Sequence, residues 1–319
     1  FDRITRPEQI LQSLPQAIQT MLDPADCGPA CLSLCQDVQG ETFEYPEEFF
    51  KERVHNIRRP KPDDFQIKQA VERIKNSKNP IIISGGGVFY SDAMEELSNF
   101  AVKHNIPVTQ TVMGYSTMKR DHSHFVGPIG GLGGKAANNL AKETDLAICI
   151  GTKLADFTTG SWANFENPQF KLVSINIARH DANKHLAEAV IGDAKVSLIE
   201  LSNALGDWRS SDNWHKKSQD ELKSWNEYVD KESGPTNQDL PSYAHAVGAI
   251  YRNSDPTDIA VTAAGGLVGE VVQVWRPKEL NTHETEWGFS CMSYEISGAL
   301  GIKMANPDKD VIALSLIHI

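Results

Sequence analysis

Apolar positions along the chain follow two rhythms. In one they recur every three or four residues, as at Ile10, Leu11, Leu14, Ile18, Met21 and Leu22, which predicts a helix over residues 7–22. In the other they run together briefly and stop at glycine or a turn residue, which predicts buried strands. From residue 62 the two rhythms alternate. A helix at 65–76 leads to the strand "PIIISGGG", a helix at 93–104 to "IPVTQT", and the loop "GPIGGLGGK" opens a helix at 136–142. The strands "DLAICIG" and "FKLVSINI" follow, then a helix at 196–205. The polar, Trp-studded stretch 207–238 reads as a helical connector. Beyond it the alternation resumes with a helix at 241–251, the strand "DIAVTAAGG", helices at 268–275 and 292–304, and a strand at 311–314. Such alternation predicts an α/β fold of parallel sheets with helices on both faces.

The first fifty residues differ. After the opening helix, "CGPACLSLCQDVQ" reads as a buried strand and "ETFEYPEEFF" as an acidic, aromatic tail. "HNIRRPKPDDF" (55–65) is basic, twice interrupted by Pro and without apolar period, hence a linker. The boundaries expected from these shifts are 1–54, 62–206 and 207–313.

Composition narrows the functional classes. Apolar residues make up 40% and charged residues 23%, as in ordinary globular proteins. A net charge of −11 argues against a nucleic-acid surface or an anionic membrane as partner. No run approaches the roughly 18–20 apolar residues that span a bilayer. Five cysteines without an apolar leader fit a reducing cytoplasm.

Three glycine-rich turns are candidates for holding an anion. "IIISGGGV" (81–88) reads either as a tight strand-to-helix turn or as a phosphate cradle, and it fails as a dinucleotide fingerprint because Tyr90 stands where a third Gly or Ala is required. "GGLGGKA" fits G-x-G-x-x-A at Gly131, Gly133 and Ala136, but no strong strand is legible before it. "TAAGGLVGE" (262–270) places two glycines where a strand ends and a helix begins, a geometry that suits an anion on helix amides. Cys27, Cys31 and Cys35 resemble a metal triplet, yet strand alternation cannot converge them on one ion. The histidines show no i, i+4 zinc pair. "WGFSCMSYEISGALG" (287–301) is a loop entering a helix of small residues.

These pieces together resemble the thiamine diphosphate enzymes of the acetolactate synthase and pyruvate decarboxylase type. "CGPACLSLCQDV" is similar to the end of their pyrimidine domain, with Gly28-Pro29 and Asp37-Val38 matching and Cys35 where a proline is usual. "PIIISGGGV…IPVTQT", "DLAICIGTKLADFTTG" and "SINIARHDANKH…IGDAKVSL" resemble the central domain. "TAAGG" and "GFSCMSYEISGALG" resemble the opening of the diphosphate domain. Within the family, "QDVQGETFEYPEEFF" and "YEISGALG" after "GFSCM" are most similar to the branch that opens a cyclic 1,2-dione in myo-inositol breakdown. Ser293 stands where that branch usually has Gly.

The resemblance implies a three-domain architecture truncated at both ends around a complete Rossmann-like central domain. It implies thiamine diphosphate and Mg²⁺ as cofactors, a cyclic dione as substrate, and a homodimer or homotetramer whose subunits share the site. Gly265, Gly266 and Leu267 match the diphosphate-side loop. Met292 matches the residue that bends the cofactor, with its N–H and the carbonyl of Ser290 meeting the pyrimidine edge. The family's catalytic Glu is expected upstream of Phe1 and its metal ligands beyond Ile319. Residues 314–319, "LSLIHI", are also what a sequencing-adapter end encodes in one frame, so a non-native tail is expected there and the chain alone is expected to be inactive. Two other readings stay open: a synthase or decarboxylase using the same cofactor, and a non-catalytic nucleotide-binding module in residues 62–206.

Overall fold

The structure is a computed structural model that describes residues 1–315. The expected tail thus lies largely outside the described residues. The N-terminal part holds β1 (Asp2–Ile4), α1 (Ile10–Leu22) and β2 (Leu32–Leu34), with β1 and β2 paired in parallel. The strand expected to be buried is exposed on one side, Leu34 being 52% accessible, because β2 pairs with β1 alone.

The central body follows in strict alternation: α2 (Asp64–Lys75), β3 (Pro80–Ser84), α3 (Gly86–Tyr90), α4 (Met94–His104), β4 (Val108–Gln110), β5 (Phe125–Pro128), α5 (Lys135–Glu143), β6 (Leu146–Ile150), α6 (Asp156–Thr159), β7 (Lys171–Asn176), α7 (Arg179–Ala182), β8 (Glu188–Ile191) and α8 (Ala194–Leu205). Its six parallel strands run in the order β5-β4-β3-β6-β7-β8, the doubly wound order of a Rossmann sheet. Both faces are apolar because both are covered. Ile82, Ile148, Ile150 and Val173 pack against α2, α4 and α8, while Ile81, Ile83, Ala147 and Cys149 pack against α5 on the opposite face. Asp63 and Asp193 cap α2 and α8 by accepting from first-turn amides.

A 21-residue helix, α9 (Asp212–Glu232), then crosses between two bodies. Its Trp214 and Leu222 enter the two cores of the central sheet, and Trp214 Nε1 donates to Pro80 O at 2.8 Å. Its Val229 belongs to the core of the next body. That body contains α10 (Tyr243–Asn253), β9 (Ile259–Thr262), α11 (Gly266–Val274), β10 (His283–Thr285), α12 (Tyr294–Ala305) and β11 (Val311–Ala313). Its three parallel strands are ordered β10-β9-β11, and Leu314 N extends the ladder by donating to Val261 O at 2.9 Å.

Three strands escape the hydrophobic pattern. β10 is His-Glu-Thr, which carries no apolar rhythm at all. β5 ends on Pro128, contains Gly127 at φ +102° and slips register against β4. β8 is four residues long and lies at the sheet edge. The presence of β5 corrects one expectation: a strand does precede "GGLGGKA".

Candidate functional site

In an open parallel sheet, the chain is freest to meet a ligand where neighbouring strands send their helices to opposite faces. In the third body that strand is β9. Val261 and Ile259 pack with Ala299 of α12 on one face, and Ala260 packs with Val271 and Val274 of α11 on the other. All three strands are parallel, so the turns leaving them gather at one end.

The turn after β9 is built by glycine. Gly265 has φ +86° and ψ −168°, a conformation that L side chains rarely adopt. Gly266 opens α11, and a Cβ placed there would meet nothing within 4 Å. Both glycines are exposed and Leu267 is half-buried. The first-turn amides of α11 have no intrahelical acceptor, so this end offers bare N–H groups and the positive end of the helix dipole.

The turn after β10 starts beside it, since Thr285 and Thr262 are in register as the last residues of adjacent strands. It is shaped by Glu286, whose carboxylate accepts from Phe289 N at 2.7 Å and Cys291 N at 2.5 Å. The amides of Cys291 and Phe289 hold the Glu286 carboxyl below the usual carboxylate range. Ser290 (φ +53°) and Ser293 (φ +74°) are both left-handed. The second is a conformation that glycine adopts more freely than serine. Met292 is left 71% exposed at the mouth of α12. Just past β11, Ser315 Oγ donates to Glu295 Oε1 at 2.5 Å, which sets Ser315 against the start of α12.

The structure therefore brings Gly265, Gly266, Leu267, Ser290 and Met292 to one end of one sheet. It does not add the other glycine turns to them. At Gly85 and Gly87 an added Cβ would collide with Gly151, and their amides already donate to Ile150 O and Gly151 O. These glycines serve close packing between β3 and β6, at the crevice where a Rossmann sheet would take a nucleotide. In the "GGLGG" turn, Gly130 N donates to Asn138 Oδ1, Gly131 N to Phe157 O and Gly134 N to Pro128 O, so these amides too are spent internally.

Sequence reasoning missed Glu286, although an acidic residue at the head of a Gly-Phe-Ser-Cys turn is a legible organiser of backbone amides. It also missed Thr262 and Thr285, whose buried hydroxyls lack a hydrogen-bond partner. Among the described residues, no group of three or more His, Cys, Asp or Glu side chains could hold a metal ion, and no helix is long and apolar enough to cross a membrane. The five cysteines are free.

Comparison with known proteins gives two family matches. Residues 67–201 match the thiamine pyrophosphate enzyme central domain, and residues 263–315 match the C-terminal TPP binding domain. The second match begins at the glycine turn after β9. Over 98% of its length the chain is 37% identical to a 3D-(3,5/4)-trihydroxycyclohexane-1,2-dione hydrolase of Clostridium perfringens, covering 53% of that protein. It is 38% identical over the same share to proteins of that name from Bacillus anthracis and Clostridium tetani, covering 52% of each. The chain spans about half the length of these curated relatives. By its two domains and by this similarity along nearly all of its length, the chain belongs to the thiamine pyrophosphate enzymes.

Proposed function

We propose that the chain belongs to a thiamine diphosphate-dependent hydrolase that opens the ring of a trihydroxycyclohexane-1,2-dione between its two carbonyls, giving 5-deoxy-glucuronate in myo-inositol breakdown in the cytoplasm. The observation that carries this reading is the identity of 37–38% to relatives of that name over 98% of the chain.

The residues fit the cofactor. The open space at Gly266 and the exposed turn at 265–267 let a diphosphate approach the backbone, where the amides of Gly265, Gly266 and Leu267 would hold it. The Ser290 carbonyl and the Met292 N–H would meet the pyrimidine edge, with the Met292 side chain setting its tilt. Thiamine diphosphate, when bound, supplies a nucleophilic carbon and an electron sink for breaking the C–C bond. The chain contributes position: Glu286 fixes the turn that presents Ser290 and Met292, and α11 presents its amide end. Mg²⁺, the usual companion of the diphosphate, finds no such ligand cluster among the described residues.

A homodimer or homotetramer with a shared site is part of the proposal. Met292, Ile296, Leu300 and Met304 form one uncovered stripe along α12, 71%, 60%, 63% and 75% exposed, and Phe289 beside it is 91% exposed. A contiguous apolar stripe at this spacing is what a second subunit covers. The gene encoding the chain, expressed in full and supplied with thiamine diphosphate and Mg²⁺, is expected to convert the dione to 5-deoxy-glucuronate, followed by mass spectrometry. Acetolactate formed from pyruvate, with the dione untouched, would assign the alternative synthase activity instead.

A further inference from the structure

The turn at 286–293 is ordered from within and anchored from outside at Trp287. Gly288 to Ser293 are all exposed, and among the described residues their hydrogen bonds stay within the turn and the head of α12. The half-buried Trp287 reaches out of the turn. Its ring meets that of Phe157, in α6 of the central body, edge to face at 5.1 Å. It also packs with Val112 of the central body and with Val268 and Val272 of α11. An indole caught between three elements is a fixed point, and the exposed turn beyond it has few contacts of its own.

The same ledge of the central body carries α11. Leu132, in the glycine turn at 130–134, joins the cluster of Val112, Val268 and Val272. It lies so close to α11 that a Cβ at Gly269 would meet Leu132 Cδ2 at 3.3 Å. Leu132 and Phe157 are tied to each other, because Gly131 N donates to Phe157 O at 2.6 Å and a Cβ at Gly130 would overlap that oxygen. Both halves of the proposed cofactor site, the head of α11 and the turn with Ser290 and Met292, are thus seated on one rigid ledge. We propose that Trp287 is a positioning residue, through which Phe157 holds Ser290 and Met292 at working distance from the amides of Gly265, Gly266 and Leu267. This rests on the proposed cofactor site. It also gives the turn at 130–134, whose amides are satisfied inside the fold, a part in the site as its seat.

Two readouts on the full-length protein test this. Without cofactor, hydrogen exchange followed by mass spectrometry should show the 286–293 peptide exchanging about two- to tenfold faster in Phe157→Ala, as loss of one edge-to-face pair implies. Exchange should be faster still in Trp287→Ala, with β9 unchanged in both. With thiamine diphosphate and Mg²⁺, Trp287→Ala should lower kcat on the dione by about 100-fold, as a displacement of about 1 Å does, while cofactor affinity falls only modestly. Trp287→Phe, which keeps a ring, should restore most of the rate, and Phe157→Ala should add little further loss to Trp287→Ala. Unchanged exchange in both variants overturns the anchor. So does a cofactor affinity that falls by the same factor as kcat, or a phenylalanine that rescues nothing. Faster exchange with kcat intact overturns it too, and Met292→Ala then locates the fault: impaired turnover there leaves the proposed site standing, and normal turnover removes the site itself. Phe157 is 54% exposed, so Phe157→Ala keeps the test open should Trp287→Ala fail to fold.

Discussion

The glycine turns of the central body and the glycine turn of the C-terminal body look alike as strings and behave as opposites. Each is a run of glycines between a strand and a helix. At Gly85, Gly87 and Gly130 the missing side chain is replaced by neighbouring backbone, and the nearby amides are satisfied inside the fold. At Gly266 the missing side chain is replaced by solvent. Glycine thus marks a close approach at Gly85, Gly87 and Gly130 and open space at Gly266, and only the surroundings tell the two apart.

That contrast can be broken most decisively at Gly130. It has φ +106° and an added Cβ would overlap Phe157 O, so Gly130→Ala should cost about 3 kcal/mol or more and be read as loss of the folded central body in chemical denaturation. A normal denaturation midpoint would show that the turn is less tightly closed than its backbone contacts imply. Next in size is Met292→Ala in the full-length protein, where, on the role proposed for Met292, lost bulk would misplace the cofactor. Turnover should fall by about 100-fold while thiamine diphosphate affinity, followed by calorimetry, falls only modestly, and Met292→Leu should retain most activity. If alanine there turns over normally, the stripe on α12 serves subunit packing alone.

Smaller effects sharpen the comparison. Ser293 pays for a left-handed backbone (φ +74°) that glycine adopts freely, so Ser293→Gly should stabilise the chain by about 0.5–1 kcal/mol, seen as a higher melting temperature. Gly266→Ala should leave stability within about 1 kcal/mol, on the favourable side because it starts a helix, yet weaken diphosphate binding by crowding the open approach. The weakest effect concerns acid. The Glu286 carboxyl is held below its ordinary value of 4.5 by the amides it accepts from, so the order it gives to the turn is complete above that pH and is lost as pH falls through the lowered value. The amide resonances of Phe289 and Cys291 should shift together in that window, and Glu286→Gln should flatten the shift.

How much of this was legible beforehand follows from the same physics. The strands at 80–84 and 146–150 are buried on both faces, so burial wrote itself into the sequence as short apolar runs, and 171–176 keeps Leu172, Val173 and Ile175 around a buried Ser174. β10 was invisible because its three side chains are polar and its place is secured by pairing with β9, a long-range fact that no local pattern carries. The proposed site residues Gly265, Gly266, Leu267, Ser290 and Met292 were named through resemblance, and they lie at turns at one end of one sheet. The orphaned hydroxyls of Thr262 and Thr285 were not reachable, because a threonine at the end of a strand looks the same whether or not a partner awaits it. The helix at 292–304 read as a helix of small residues entered from a loop. Ala299 does pack on β9, but the opposite face of α12 carries the uncovered stripe.

The helix α9 sets how the molecule comes apart. A three-stranded sheet standing alone would be a weak cooperative unit, prone to open while its neighbour stayed intact. Here one continuous helix plants Trp214 and Leu222 in one body and Val229 in the other, and Arg276 ties back to it through Asp230 at 2.5 Å. Neither body can shed that helix without exposing the other's core. The pair is thereby expected to melt as one unit, with the larger sheet bracing the smaller one that carries the open glycine turn.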